Sequence, residues 1–184
     1  MEVTLVVNIT ISGHPGSGTS TLVEGICRAK NWTSLNGGQI FRTEAKNRGM
    51  SLSEFGDLCK LDSSVDESLD EILKNSMKDP AGPEVMESRL SGWWAYKIGL
   101  DCARIWLNVN DEERARRVVA REEISYQQAL ENNRLRSKKD LDRYMTMYGL
   151  NPEDSEPYTH IIEASEIGAD QVLLKALEIL EEYK

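Results

Sequence analysis

Short apolar runs alternate along the chain with amphipathic stretches, and their order is enough to predict a fold. Residues 5–12 form a β-rich run that ends in a glycine-rich turn at 13–18, and a helical pattern follows from Thr19 to about Lys30. A short extended piece at 33–35 leads through Gly37-Gly38 into a second helical stretch over 40–48. Ser51 with Glu54, and Ser64 with Glu67, carry the spacing in which an N-cap hydroxyl and a carboxylate three residues on satisfy each other's backbone amides, so two further helices start there. The breaker-rich loop 79–83 precedes a short strand at 84–87. Alternation returns in ARIWLNV at 103–109, after which Asn110, with Glu113 three residues on, caps a helix to about Arg121. Ser125 with Gln128 opens a helix that reaches Tyr148. Beyond Pro152 and Pro157 comes a last strand at 160–164, opened by a structural His160 in a buried strand. The final helix, 169–183, places Val172, Leu173, Ala176, Leu177 and Leu180 on one face. Strands alternating with helices predict a parallel sheet with helices on both faces, a doubly wound α/β domain.

Composition narrows the class. A chain of 184 residues suits one medium domain, and 40% hydrophobic against 29% charged residues is the balance of a folded protein. No apolar run approaches the ~18 residues of a membrane span, and the N-terminus MEVTLVVN lacks the basic start of a signal peptide. The formal charge of −9 speaks against a general nucleic-acid binder. Three widely separated cysteines, Cys27, Cys59 and Cys102, would leave one unpaired in any disulfide scheme, which fits a reduced, cytoplasmic protein.

The chemistry concentrates in Gly13, His14, Pro15, Gly16, Ser17, Gly18, Thr19 and Ser20, which follow a strand and open a helix. This is the frame of a phosphate-binding P-loop, with Thr19 standing where a lysine is expected. Glycines let successive amides turn inward around phosphate oxygens, and the helix start adds its positive end. The loop, through Ser20 and Thr21, is the candidate ATP site, and Ser20 occupies the position whose hydroxyl helps hold Mg²⁺. The same turn could be an ordinary glycine-rich connection that needs no ligand. Without the lysine, a phosphoryl transfer must find its cations elsewhere. Residues 114–143 supply them: nine basic residues against five acids net +4, leaving −13 for the rest of the chain. Arg114, Arg117 and Arg121 share one helix face, and Arg136 and Arg143 share another with Asp140 between them. Such charges also decorate solvated helices; beside a P-loop without lysine they suggest a phosphate clamp.

The segments GHPGSGTSTL, GGQIFRTEAKNRGMSLSEF, ESRLSGW and ARIWLNV, the Arg-x-x-Arg-x-x-x-Arg stretch from Arg114 through Arg117 to Arg121 and the run Arg143-Tyr144 to Tyr148-Gly149 resemble the archaeal-type cytidylate kinases, in that family's order from Ile9 onward. Members of that family are similar in placing Thr after the last P-loop glycine, and residues 1–8 look like a short extension. The resemblance implies a P-loop nucleoside monophosphate kinase fold: a five-stranded parallel sheet, a small acceptor-binding insert at about 36–80 and a lid at about 117–143. It implies a (d)CMP kinase that uses ATP and Mg²⁺ and works as a monomer on small nucleotides. Arg42 would meet the acceptor phosphate and Phe41 its base, with Arg89, Arg136, Asp140 and Arg143 completing the acceptor site. Arg117, Arg121 and Arg136 would serve catalysis, the first two facing the transferring group. Trp93 and Trp94 are expected to pack. Bacterial cytidylate kinases carry a base-reading Asp directly after the arginine that matches Arg89; here that place is Leu90.

Two other readings stay open at this level. The acceptor could be UMP, AMP or a small alcohol, since Leu90 cannot read a cytosine. Alternatively, the chain could be a non-catalytic nucleotide-binding module, although it shows no N-K-x-D motif of a GTPase, and Val85-Met86-Glu87 is a poor match to the acid-terminated strand of a motor ATPase.

Overall fold

The strand that feeds the glycine-rich turn, β1 (Ile9–Gly13), is buried at every position. It lies at the centre of the sheet in the computed structural model, which describes residues 6–183. The elements that follow it are α1 (Thr19–Lys30), β2 (Ser34–Asn36), α2 (Gly37–Asn47), α3 (Leu52–Leu61), α4 (Ser63–Lys78), β3 (Val85–Glu87) and α5 (Ser91–Lys97). After them come β4 (Ala103–Asn108), α6 (Asp111–Glu122), α7 (Tyr126–Tyr148), β5 (His160–Glu163) and α8 (Ala169–Glu181). The five strands are ordered β2-β3-β1-β4-β5 and every pairing is parallel, as the alternation of strands and helices predicts.

The period-2 geometry of β1 divides the core. Ile9 and Ile11 face one side, where Leu22, Val23 and Ile26 of α1 and Val172, Ala176 and Leu180 of α8 close over the sheet. The other side is filled by Met86, Leu90, Trp93, Trp94, Leu73, Met77 and Tyr144, from β3, α5, α4 and α7. Burial of this order, at roughly 25 cal/mol per Å² of apolar surface, is what holds the layers together. On that second side α5 comes unusually close to β1. Ser12 Oγ lies 3.0 Å from Ser91 Oγ, and a Cβ on Gly92 would collide with the ring of Tyr158, so only glycine fits.

Four local expectations need correction. The second helix starts at Gly37, because Asn36 Oδ1 accepts from the amide of Gln39 at 2.6 Å. The fourth is capped by Asp62, whose carboxylate accepts from the Ser64 amide at 3.0 Å; Ser64 and Glu67 form no box. The box at Ser51 and Glu54 is present in both directions, at 2.8 and 3.2 Å. Strand β5 is an edge strand with Ile161 half-exposed, so His160 is not in a buried strand. Helix α5 had no expectation at all: its residues are buried nearly all round and carry no amphipathic period. The strand expected from residue 5 begins at Ile9, and residues 1–5 lie outside the described residues. Among the described residues no helix is long and apolar enough to cross a membrane.

Candidate active site

The turn after β1 has the geometry of an anion cradle. Gly16 and Gly18 adopt φ of +82° and +89°, and a Cβ on Gly16 would sit 2.9 Å from the carbonyl of Arg114. Gly18 is the N-cap of α1 and offers no side chain to the helix amides, and the first turn carries no acid. The positive end of α1 therefore faces the loop uncompensated. Ser17 Oγ is buried there without a partner, an orphan donor at the loop itself. Thr19, in the lysine position, is buried, with its methyl within 3.0 Å of where a Cβ on Gly13 would lie. Ser20 and Thr21 are exposed in the first turn. Ser20 Oγ donates to Glu87 Oε1 at 3.1 Å, so the last residue of β3 meets the first turn of α1. By its local sequence this acid is only a poor strand-end match; the pairing of β1 with β3 is what brings it to Ser20.

Of the three expected clamp residues on α6, two act alike and the third differs. Arg114 is buried and donates to Pro15 O at 3.1 Å, to Ser137 Oγ at 3.2 Å and to Asp111. Arg117 donates to Ser17 O at 2.8 Å, to Ala164 O at 2.6 Å and to Glu113 at 2.9 Å. Both guanidiniums are thus spent on carbonyls of the loop and its surroundings, bracing the turn instead of standing free before it. Arg121 is about two-thirds exposed and pairs with its neighbour Glu122; no described contact brings it to the loop. His14 is also committed. Its Nε2 lies 2.5 Å from Glu153, and its ring meets the edge of Trp106 at 5.1 Å. Burial, with the Arg114 charge beside it, holds its pKa below the ordinary histidine value, against the pull of Glu153.

A second group of guanidiniums gathers around Asp140 on α7. Arg89 donates from Nε to Asp140 at 3.2 Å and from Nη1 to Gly13 O at 2.7 Å, tying the end of β1 to α7. Arg143 approaches Asp140 at 3.7 Å, donates to Asp66 at 3.2 Å, and donates to the hydroxyl of Tyr144 at 2.8 Å. Burial works against its charge, but Tyr144, Asp66 and Asp140 outweigh burial and raise its pKa. Arg136 makes no hydrogen bond or ion pair with a described residue. Burial and the nearby charge of Arg89 push its pKa below the arginine value, with Asp140 opposing. The spacing of Arg136, Asp140 and Arg143 on one helix therefore does bring three residues together, with Arg89 joining them from the β3–α5 turn.

Arg42 and Phe41 make no described contact with Arg89, Arg136, Asp140 or Arg143. Arg42 is exposed, and its guanidinium lies over the start of α2, within 3.3 Å of where a Cβ on Gly38 would be. Phe41 packs on Phe55 with ring centroids 4.8 Å apart, in the small core of α2, α3 and α4. Leu90 is fully buried beneath α5 and faces no cleft. Asp66, which no motif in the sequence marks out, is the one buried carboxylate among the described residues. Among those residues there is no cluster of three or more His, Cys, Asp or Glu side chains able to hold a metal by themselves.

Known proteins resemble this chain in sequence and in fold. A family model described as an AAA domain matches residues 9–139. The cytidylate kinase of Thermococcus kodakarensis is 36% identical over 164 residues, which cover 89% of this chain and 82% of that protein. The cytidylate kinase of Halobacterium salinarum is 31% identical, covering 96% of this chain and 90% of its own length. A gluconokinase from Sinorhizobium meliloti superposes with a TM-score of 0.61 at 15% identity, over 97% of this chain and 93% of that one, a likeness of fold. With the P-loop, the parallel sheet and relatives matched over most of both lengths, the chain belongs to the cytidylate kinase family.

Proposed function

We propose that the protein transfers the γ-phosphoryl group of MgATP to CMP or dCMP. One observation carries this reading: an anion cradle at the end of β1 stands beside a separate guanidinium group, and Arg89 touches both. A donor phosphate chain and an acceptor phosphate would then lie in neighbouring sites joined by one side chain. The relatives' activity agrees with that division.

The roles follow from the geometry. Amides of residues 13–18 and the start of α1 hold the donor phosphates. The Ser20–Glu87 pair fits Mg²⁺, which takes one or two protein oxygens and completes its shell with phosphate and water. Bound there, the ion would neutralise charge on the β- and γ-phosphates. Arg89, Arg136 and Arg143 take the acceptor phosphate, and Asp140 keeps the guanidiniums oriented before it arrives. Arg42 adds its charge at the positive start of α2, two like partial charges whose proximity is favourable only with an anion between them. Phe41 flanks the base. The acceptor oxygen is already ionised near neutral pH, so no general base is needed and catalysis rests on in-line positioning and charge neutralisation.

In this reading, residues 36–80 form the acceptor-binding insert and residues 117–143 the lid. Arg121, exposed at the end of α6, is carried to the transferring group when the lid closes, while Arg117 keeps bracing the loop. Closure excludes water and suppresses hydrolysis of ATP. The three free cysteines suit a reducing cytosol, where the protein works as a monomer.

The test is a nucleotide panel with MgATP, read by coupled ADP release. CMP should be turned over fastest and dCMP next. AMP or UMP outrunning CMP would change the acceptor, a question that buried Leu90 makes worth asking. ADP release independent of any acceptor would favour a nucleotide-hydrolysing module.

A further inference from the structure

A glycine-rich loop binds an anion well only if its peptide planes are set before the anion arrives, because glycine leaves the free chain many other choices. Four carbonyls of this loop are already held. Arg89 donates to Gly13 O, the Ser17 amide to His14 O, Arg114 to Pro15 O and Arg117 to Ser17 O. One side chain is held as well. Within residues 13–18 only His14 sets a side chain against a polar partner, its Nε2 lying 2.5 Å from Glu153 Oε1, whereas Ser17 Oγ has none.

Glu153 lies 139 residues from His14, on the connection between α7 and β5, and belongs to no motif. Its own backbone is tied down. Trp93 Nε1, on α5, donates to Asn151 O at 2.8 Å, and the Glu153 amide donates to Asn151 Oδ1 at 3.0 Å. The Tyr158 hydroxyl donates to Pro152 O at 2.5 Å, and its ring packs on Trp106 with centroids 5.4 Å apart. The carboxylate therefore reaches His14 from a braced support, and the imidazole is caught between it and the edge of Trp106. Beside a carboxylate, a neutral imidazole keeps its proton on the nitrogen that faces the acid, here Nε2. The other charges acting on the ring are Arg114 from α6 and Arg89 from the β3–α5 turn, while Asp111 and Arg134 line the same cleft. Arg114 and Arg89 are committed to loop carbonyls and carboxylates, so the side chain that fixes the ring is Glu153.

We infer that Glu153 is a positioning residue for the donor nucleotide, acting through His14 to keep the phosphate loop in its binding form. This rests on the reading of the loop as the ATP site. A residue that merely held the fold together would weaken both substrates and lower the melting temperature, whereas a loop-positioning residue weakens the donor alone. The experiment measures direct binding of MgATP and of CMP by calorimetry, with both KM values, in the wild type and in Glu153→Ala, Glu153→Gln, His14→Asn and the Glu153→Ala/His14→Asn double variant. In Glu153→Ala the Kd and KM for MgATP should rise about fivefold, the order of one hydrogen bond to a charged group, with CMP binding and melting temperature unchanged. Glu153→Gln keeps an oxygen for Nε2–H and should recover most of that loss. In the His14→Asn background, whose shorter side chain cannot reach residue 153, Glu153→Ala should add nothing further. Glu156→Ala serves as a control on the same connection, since Glu156 accepts from the Tyr96 hydroxyl instead, and it should leave MgATP binding intact. Unchanged MgATP affinity in Glu153→Ala overturns the inference, as do additive effects of the two substitutions or an equal loss in Glu153→Gln. A parallel loss of CMP binding and melting temperature, or an equal effect of Glu156→Ala, makes the contact a general structural one and overturns it too. A wild type that binds no MgATP would instead overturn the donor-site reading itself, so the two failures are distinguishable.

Discussion

The glycine-rich loop and the Asp140 group are both ringed by arginine, yet the two rings differ in the partners they hold. Around the loop, Arg114 and Arg117 give their N–H groups to the carbonyls of Pro15, Ser17 and Ala164, partners that cannot leave. Around Asp140, Arg89 and Arg143 each reach carboxylates, Arg89 also holding Gly13 O and Arg143 the Tyr144 hydroxyl, and Arg136 has no hydrogen-bonded partner among the described residues. A phosphate can displace a carboxylate from a guanidinium, because it too presents two anionic oxygens to the paired N–H groups and carries more charge. It gains much less by displacing a backbone carbonyl that would then be buried unpaired. The first ring therefore shapes the loop, and the second keeps partners that an anion could replace. Counting arginines near a P-loop does not separate these roles; the identity of their partners does.

The contrast can be broken most forcefully at Arg114. Arg114→Ala should lower stability by about 2–4 kcal/mol, because it strands the Pro15 carbonyl and Asp111 and empties a buried volume. Urea unfolding measures this, and Arg114→Lys should recover little, since one ammonium cannot span three partners. A variant as stable as the wild type would remove the bracing role. Next in size, Arg89→Ala should cut kcat/KM for CMP about a hundredfold, the equivalent of one or two charge-assisted hydrogen bonds at about 1.5–3 kcal/mol each. ATP affinity should change as well, since Gly13 O loses its donor. Arg136→Ala sharpens the comparison. It should raise KM for CMP about tenfold and leave thermal unfolding unchanged, because no intramolecular bond is lost and repulsion with Arg89 is relieved. A marked fall in melting temperature would place Arg136 with the braces.

The smallest effect concerns pH. His14 has a folded pKa below 6.5, from burial first and Arg114 second, so the unfolded chain takes up a proton at a pH where the folded one does not. Stability is complete above about 6.5 and declines as pH falls from there through the lower folded value. His14→Asn should flatten this part of the stability profile. An unaltered slope between pH 7 and pH 5 would show that other groups carry it.

Much of this is legible in the sequence, and what is not has a common cause. The P-loop, the Ser51–Glu54 box and the Asn110 cap are local patterns, in which residues a few positions apart act on one another's amides. The triplet Arg136, Asp140 and Arg143 is legible because helical spacing puts it on one face. Glu87 escapes notice because its partner, Ser20, lies 67 residues away, and only strand order joins them. For Arg114 and Arg117 the sequence indicates the helix face, and the structure adds the partners. Periodicity tells which way a side chain points, but the carbonyls awaiting it belong to loops 99 and 100 residues distant. Helix α5 is hidden because a segment buried on all sides has no polar face to mark its period.

Arg89 has a consequence for how the two substrates sense each other. One of its nitrogens holds the end of the donor strand, and another holds a carboxylate that an acceptor phosphate would displace. An acceptor that redirects this guanidinium alters the setting of Gly13, and a nucleotide settling on the loop alters the guanidinium in turn. The four liganded states of such a protein form a closed thermodynamic square. Whatever factor the acceptor applies to the affinity for donor, the donor must apply to the acceptor. Substrate synergy or antagonism would thus be a property of one side chain, readable as a reciprocal pair of dissociation constants that lose their dependence on each other when Arg89 is removed.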